Sequence, residues 1–138
     1  MVKEIVKDIE ILTQKSVKFE KRLHQKVLID LADTALAHVE NCAGLAAIQI
    51  GEAVKCFVVK NSKNEFDVYI NPFIFKHSTE KYKTMEGCLS LEGQREVTRY
   101  EWIEIMYERG GKFRKERVSG YRAEVIQHEY DHLFGKLI

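Results

Sequence analysis

The strongest chemical signal in the chain is the run His128-Glu129-Tyr130-Asp131-His132, an H-E-x-x-H pattern. On a helix, residues four apart share a face, so His128 and His132 can grip one metal ion. A metal ion acidifies the water it holds. Glu129, one residue on and turned partly aside, can take that proton as general base without being a ligand. The same five residues also describe an exposed helix face that happens to carry two histidines, so the rest of the ligand set decides between the two readings.

A third ligand has to come from upstream. The tail Leu133-Phe134-Gly135-Lys136-Leu137-Ile138 contains no His, Cys, Asp or Glu. Zinc proteases with this motif usually take their third ligand downstream, so the usual protease arrangement is disfavoured. Upstream candidates are Cys42, Cys56, Cys88, His24, His38, His77 and any carboxylate. His24 and His38 fall on the first helix and are expected at the surface, and His77 in a polar loop. Cys56 lies in an apolar run and reads as a small buried hydrophobe. Cys88 is the best choice, because Gly87 permits a tight turn that aims the thiol. A thiolate with two imidazoles leaves an open position for water, as a catalytic site requires.

The elements that must position these groups follow from periodicity. Leu23, Val27, Leu31, Ala35 and Val39 recur at helical spacing, with Leu28, Ala32 and Leu36 widening the stripe, which predicts a helix over 20–40. The small apolar segment from Cys42 to Gly51 can pack closely against another element. Val54–Lys60 and Phe66–Ile70 read as strands of a hairpin across Asn61-Ser62-Lys63-Asn64, and Asn71-Pro72 is expected to stop the second. Lys81–Glu86 is weakly patterned but extended. Glu101–Tyr107 alternates well, Gly110-Gly111 turns, and Lys112–Val118 returns as its partner. Ser119 suits a helix N-cap, Ala123–Leu133 the helix, and Gly135 its C′ position. The order is helix, short strands, helix, without βαβ alternation. That predicts an α+β fold: small antiparallel or mixed sheets packed around a C-terminal helix that carries H-E-x-x-H, with an N-terminal helix.

The chain has 138 residues, 45% hydrophobic, with a formal net charge of +1. This describes one domain, residues 1–138, large enough to bury a core without disulfides. The near-zero charge excludes nucleic-acid binding driven by a broad basic surface, and no specific nucleic-acid partner is expected. No apolar run approaches the ~20 residues of a membrane span. The first residues lack an apolar signal segment, and the odd cysteine count fits a reducing compartment, so a cytoplasmic location is expected; one compact domain of this size is expected to be a monomer.

Three motifs together resemble peptide deformylases, the bacterial enzymes that remove the formyl group from nascent chains. They are Gly44-Leu45-Ala46-Ala47-Ile48-Gln49-Ile50-Gly51 against G-L-A-A-P-Q-x-G, an intact Glu86-Gly87-Cys88-Leu89-Ser90, and an intact Gln127-His128-Glu129-Tyr130-Asp131-His132-Leu133. The resemblance covers the chain from about residue 40 to its end. It implies that Cys88, His128 and His132 hold one divalent metal ion. Ferrous iron is the family's preference, and zinc, nickel or cobalt are alternatives that the ligand set does not separate. It implies Glu129 as general base and then proton donor to the leaving amine. Gln49 and the backbone N–H of Leu89 would face the oxyanion. Gly44 would pair its backbone with a substrate bound as an added strand, and Val125 would line the pocket for the methionine side chain. The implied substrate is an N-formylmethionyl peptide emerging from the ribosome.

Glu86 is expected to be structural, paired with Arg95 or Arg99, and Asp131 to lie off the ligand face. Ile48 stands in place of a proline, Cys42 in place of a glycine, and the N-terminal segment lacks the family's D-P-x-L-R. Glu124, unsuited to an apolar pocket, is expected to face outward. These departures keep two alternatives open: a hydrolase of the same fold with another N-acyl substrate, and a non-catalytic metal-binding or ribosome-associated module. A binding module, however, has no need of Glu129 or Gln49.

Overall fold

A computed structural model describes residues 1–137. Among these the elements run α1 (Ile9–Leu12), α2 (Lys21–Ala37), β1 (Gly44–Ala46), a 3-10 turn (Ala47–Ile50), β2 (Cys56–Lys60), β3 (Phe66–His77), β4 (Lys81–Cys88), β5 (Leu91–Tyr100), β6 (Trp102–Arg109), β7 (Lys112–Ser119) and α3 (Gly120–His132). The strands form a sheet in the order β1-β2-β3-β6-β7 and a separate hairpin β4-β5. All ladders are antiparallel. The predicted α+β class, the β2–β3 and β6–β7 hairpins and the two long helices are present. No helix among the described residues is long and apolar enough to cross a membrane.

β2 explains how the layers stack. Its segment Cys56-Phe57-Val58-Val59 is fully buried. Alternation sends Phe57 and Val59 into one apolar cluster with Tyr69, Ile105, Ile126 and Leu133, against α3. Cys56 and Val58 enter a second cluster with Leu31, Ala35 and Leu45, against α2. A strand covered on both faces reads as a continuous apolar run rather than an alternating one. α3 packs against the face of the sheet that carries Phe57 and Val59, and its Gln127, His128, Glu129 and His132 are buried there.

Several boundaries differ from expectation, each for a local reason. β3 does not stop at Asn71-Pro72. The strand continues to His77 across a shift of register between Ile70 and Phe73, with Asn71 at φ 48. Asparagine tolerates this left-handed conformation. Its side chain is locked there, accepting from the Phe19 N–H at 2.8 Å and donating to Glu108 Oε2 at 3.0 Å. His77, expected in a loop, consequently ends β3, stacked on Tyr100 at 3.7 Å between ring centroids. In α2 the buried face is Val27, Asp30, Leu31, Thr34 and Ala35, while Leu23 and Leu36 are exposed. The N-terminal segment lies along the polar part of that face, where the Lys3 N–H donates to Thr34 Oγ1 at 2.8 Å. α3 begins at Gly120, three residues earlier than periodicity suggested, with Ser119 at the cap position but making no side-chain cap bond. β5 and the short α1 were not legible, because β5 exposes most of its side chains and α1 is a single turn.

Candidate metal centre and active-site cleft

Three elements converge on a cleft of about 400 Å³. β4 delivers Cys88 at its end, α3 delivers His128 and His132, and the 3-10 turn delivers Gln49. The ligand atoms of Cys88, His128 and His132 all lie within 4.8 Å of one another. Cys88 Sγ is 3.8 Å from His132 Nε2. A thiol and two imidazoles this close, on the wall of a cleft, match the donor set of an open metal site. The positions of Cys88, His128 and His132 therefore fit one divalent cation.

The protonation states point the same way. Burial lowers His132 to about 3, so it is neutral and free to ligate. Burial would also lower His128, but the hydrogen bonds it donates to Cys88 and Glu86 outweigh it and raise His128 to about 10. His128 Nδ1 sits 2.8 Å from Glu86 Oε1. The carboxylate fixes the ring, leaving the other nitrogen for a ligand role, as outer partners of metal-bound histidines do. Protons held by thiol and imidazole donors must leave when an ion binds, so ion uptake is expected to weaken in acid.

Glu86 belongs to a buried charge network. Arg99 donates from Nε to Glu86 Oε2 at 2.9 Å and from Nη2 to Oε1 at 2.6 Å. Its Nη1 donates to Asp131 Oδ2 at 2.7 Å. Burial alone would raise Glu86, but the bonds from Arg99 and His128 prevail and hold it at about 2. Arg99, one of the two partners expected for Glu86, pairs with it, and Asp131 braces the same guanidinium from α3. Gln127, whose part sequence reasoning missed, clamps α3 to β5: it accepts from the Tyr100 N–H at 2.9 Å and donates to the Tyr100 carbonyl at 3.0 Å. Its one signal was its place beside His128.

Glu129 is buried, and among the described residues its Oε1 has no hydrogen-bond partner. Burial raises its carboxyl to about 7. A buried, unpartnered carboxylate near neutrality, facing a cleft, is suited to general-base work. Gly44 lies directly against it. A Cβ built there would come 2.9 Å from Glu129 Oε2 and 3.0 Å from Val125 Cγ1. Glycine at 44 thus fits the close approach of the Glu129 and Val125 side chains, which a Cβ would force to shift.

Gln49 is held in one orientation. Its Oε1 accepts from the Ala46 N–H at 3.0 Å, which turns Nε2 toward Cys88 Sγ at 3.3 Å and Ser90 Oγ at 3.2 Å. The amide donor therefore points at the ligand cluster. Leu89 and Val125 both line the cleft. Ile48 is fully buried and takes no part in the cleft wall.

Two departures from the resemblance resolve here. Cys42 does face the cleft, but its thiol donates to the Gly44 carbonyl at 3.2 Å. Burial, then the Glu129 charge, push it up to about 12, so it remains a neutral thiol. Glu124 does not face outward. It lines the cleft, and its Oε1 accepts from Tyr82 Oη at 3.0 Å. One helical turn separates Glu124 from His128, so both project from the same face of α3. Burial and the neighbouring Glu86 raise its carboxyl.

The likeness to known proteins agrees with this geometry. A family model described as polypeptide deformylase matches residues 2–138. The chain is 44% identical, over 139 aligned positions, to a peptide deformylase of Clostridium beijerinckii, covering 100% of each. It superposes on the crystal structure of peptide deformylase from Ehrlichia chaffeensis with a TM-score of 0.86 and 30% identity, covering 99% of this chain and 86% of that one. A class I type b peptide deformylase from Acinetobacter baumannii, with Met-Ala-Ser bound, matches with a TM-score of 0.86 and 25% identity, covering 99% and 96%. The chain belongs to the polypeptide deformylase family.

Proposed function

We propose that this chain removes the formyl group from N-formylmethionyl peptides, releasing formate, with Cys88, His128 and His132 holding one divalent cation. The observation that carries this reading is the cluster of those three donors beside an unpartnered, buried Glu129. The deformylase family is metal-dependent. Ferrous iron is the cation assigned here, on the family preference, with zinc, nickel and cobalt able to use the same donors. When bound, the cation supplies a Lewis acid that polarises the formyl carbonyl and acidifies water.

The remaining chemistry falls to side chains of this chain. Glu129 takes a proton from the attacking water and passes it to the departing amine. Its raised pKa suits both halves of that task. Gln49 Nε2, pre-aimed by the Ala46 N–H, and the Leu89 N–H donate to the oxygen that becomes negative. The Gly44 backbone pairs with the extended peptide, and Val125 packs against its first side chain. Glu86, Arg99 and Asp131 hold His128 and α3 in register without touching substrate. The substrate is a nascent chain at the ribosome, and the protein works as a cytoplasmic monomer.

Formyl-Met-Ala-Ser and acetyl-Met-Ala-Ser, offered to the same anaerobically prepared, iron-loaded protein, test the reading. The proposal expects release of the free amine from the formyl peptide alone. Equal or faster cleavage of the acetyl peptide would assign the protein to another N-acyl substrate.

A further inference from the structure

A peptide that binds as an added strand needs an open sheet edge, and β1 is the edge strand of the five-stranded sheet, next to β2. In an antiparallel ladder, bonded and non-bonded residue pairs alternate. The Lys60 N–H donates to the Ala43 carbonyl at 2.8 Å, so Gly44, opposite Val59, is a non-bonded position. Its backbone groups therefore turn away from β2, toward the cleft that Gly44 lines. Ala46, two residues on, turns the same way: its N–H donates to Gln49 Oε1 at 3.0 Å. Gly44 also stands beside the base, since a Cβ on this residue would come 2.9 Å from Glu129 Oε2. Its carbonyl is thus well placed to accept from the peptide, yet it is already engaged. Cys42 Sγ donates to it at 3.2 Å, from a side chain that is 2% exposed.

We infer that Cys42 sets the affinity for the peptide: its thiol competes with the peptide's backbone N–H for the Gly44 carbonyl. This rests on the deformylase reading above, in which the peptide pairs with Gly44. Burial and the Glu129 charge keep the thiol protonated, so it is a donor whenever the peptide arrives. A protein whose binding-competent form is only partly populated binds its ligand more weakly by that fraction. Here the competent form is the one with the Gly44 carbonyl released. A thiol is a weak donor, so the peptide N–H can displace it at small cost. As the peptide leaves, the thiol closes over the carbonyl again. Cys42 thereby loosens the hold on substrate and product alike, and acts through Gly44 rather than on the reacting atoms.

The test is KM and kcat for formyl-Met-Ala-Ser on the iron-loaded wild type, Cys42→Ala and Cys42→Ser. KM does not depend on the fraction of protein carrying metal. Cys42→Ala removes the competing donor, so KM should fall about 2- to 10-fold with kcat no higher. Cys42→Ser replaces the thiol by a stronger donor, so KM should rise above the wild-type value. A KM unchanged or raised in Cys42→Ala, with formate still released, would overturn the inference alone. A KM lowered in both variants would trace the effect to the bulk of the sulfur instead of its hydrogen bond, and would overturn it too. Should Cys42→Ala fail to fold, Cys42→Ser decides by the direction of its KM. No formate from any of the proteins, with metal bound, would overturn the deformylase reading instead. In that case, calorimetric binding of the intact formyl peptide to the same proteins decides the competition by the same order of affinities.

Discussion

Replacing Arg99 by methionine is expected to cost about 3 kcal/mol of stability and to loosen the metal centre without altering a ligand. Arg99 is 5% exposed, and its guanidinium donates to two carboxylates, the buried Glu86 and the partly exposed Asp131. Burial pushes Glu86 up, and the bonds from Arg99 and His128 pull it down to about 2 from an ordinary 4.5. At roughly 1.4 kcal/mol per pH unit that preference is worth about 3 kcal/mol. Breaking a buried pair from one side typically costs a similar amount, about 3–5 kcal/mol. For a chain of this length, 3 kcal/mol corresponds to a fall in Tm of about 10 °C. The sign with pH is also fixed. Glu86 has a depressed folded pKa, so its contribution is complete above 4.5 and fades as pH falls toward 2. The gap between wild type and Arg99→Met should therefore be full at pH 7 and narrower by about 1 kcal/mol at pH 3.5. Thermal unfolding of both metal-free proteins at the two pH values reads this directly. Because Glu86 orients His128, metal affinity should fall about 10- to 100-fold as well. A shift under about 2 °C at pH 7, or an equal gap at both pH values, would refute the role given to this network.

Glu129→Gln should lower turnover by about 10²–10⁴-fold with the metal content unchanged, measured by formate release and metal analysis of one sample. The acid limb of the wild-type pH–rate profile reports Glu129: its base form is lost as pH falls. A cation beside it lowers the value of about 7 found without metal, so the limb should lie between the usual carboxylate range and 7. Gly44→Ala should cut activity and stability together, since its Cβ would meet Glu129 and Val125 at 2.9–3.0 Å, and both can be followed by kinetics and Tm. Gly135→Ala should cost roughly 2 kcal/mol or more with little direct effect on chemistry. Position 135 has φ +76, and a Cβ there would lie 2.2 Å from the Thr13 carbonyl oxygen, so denaturant unfolding is the check.

The proposed ligand set was legible because its chemistry needs particular residue types at particular spacing. His128 and His132 announce themselves by helical period, and Cys88 by the turn that Gly87 allows. Gly44 was legible only through the likeness of its motif. The physical reason, the carboxylate pressed against it, exists only in three dimensions. Glu124 was misjudged because periodicity gives the side a residue takes on a helix, not which neighbour covers that side. α3 lies between the main sheet and the β4–β5 hairpin, so the Glu124 side is covered by Tyr82 of β4. β5 escaped notice because a two-stranded, largely solvated hairpin needs no apolar alternation. β3 ran past Asn71-Pro72 because a side chain clamped to Phe19 and Glu108 can carry a strand through a turn-like residue.

The most direct test of the central claim is a titration of metal-free protein with ferrous ion under anaerobic conditions, with formate release from formyl-Met-Ala-Ser measured at each step. The account predicts activity that rises linearly and stops at one ion per chain, vanishes with a chelator, and never develops in Cys88→Ser to more than a few per cent of wild type. Formate release that is independent of added ion, or undiminished in Cys88→Ser, would contradict it.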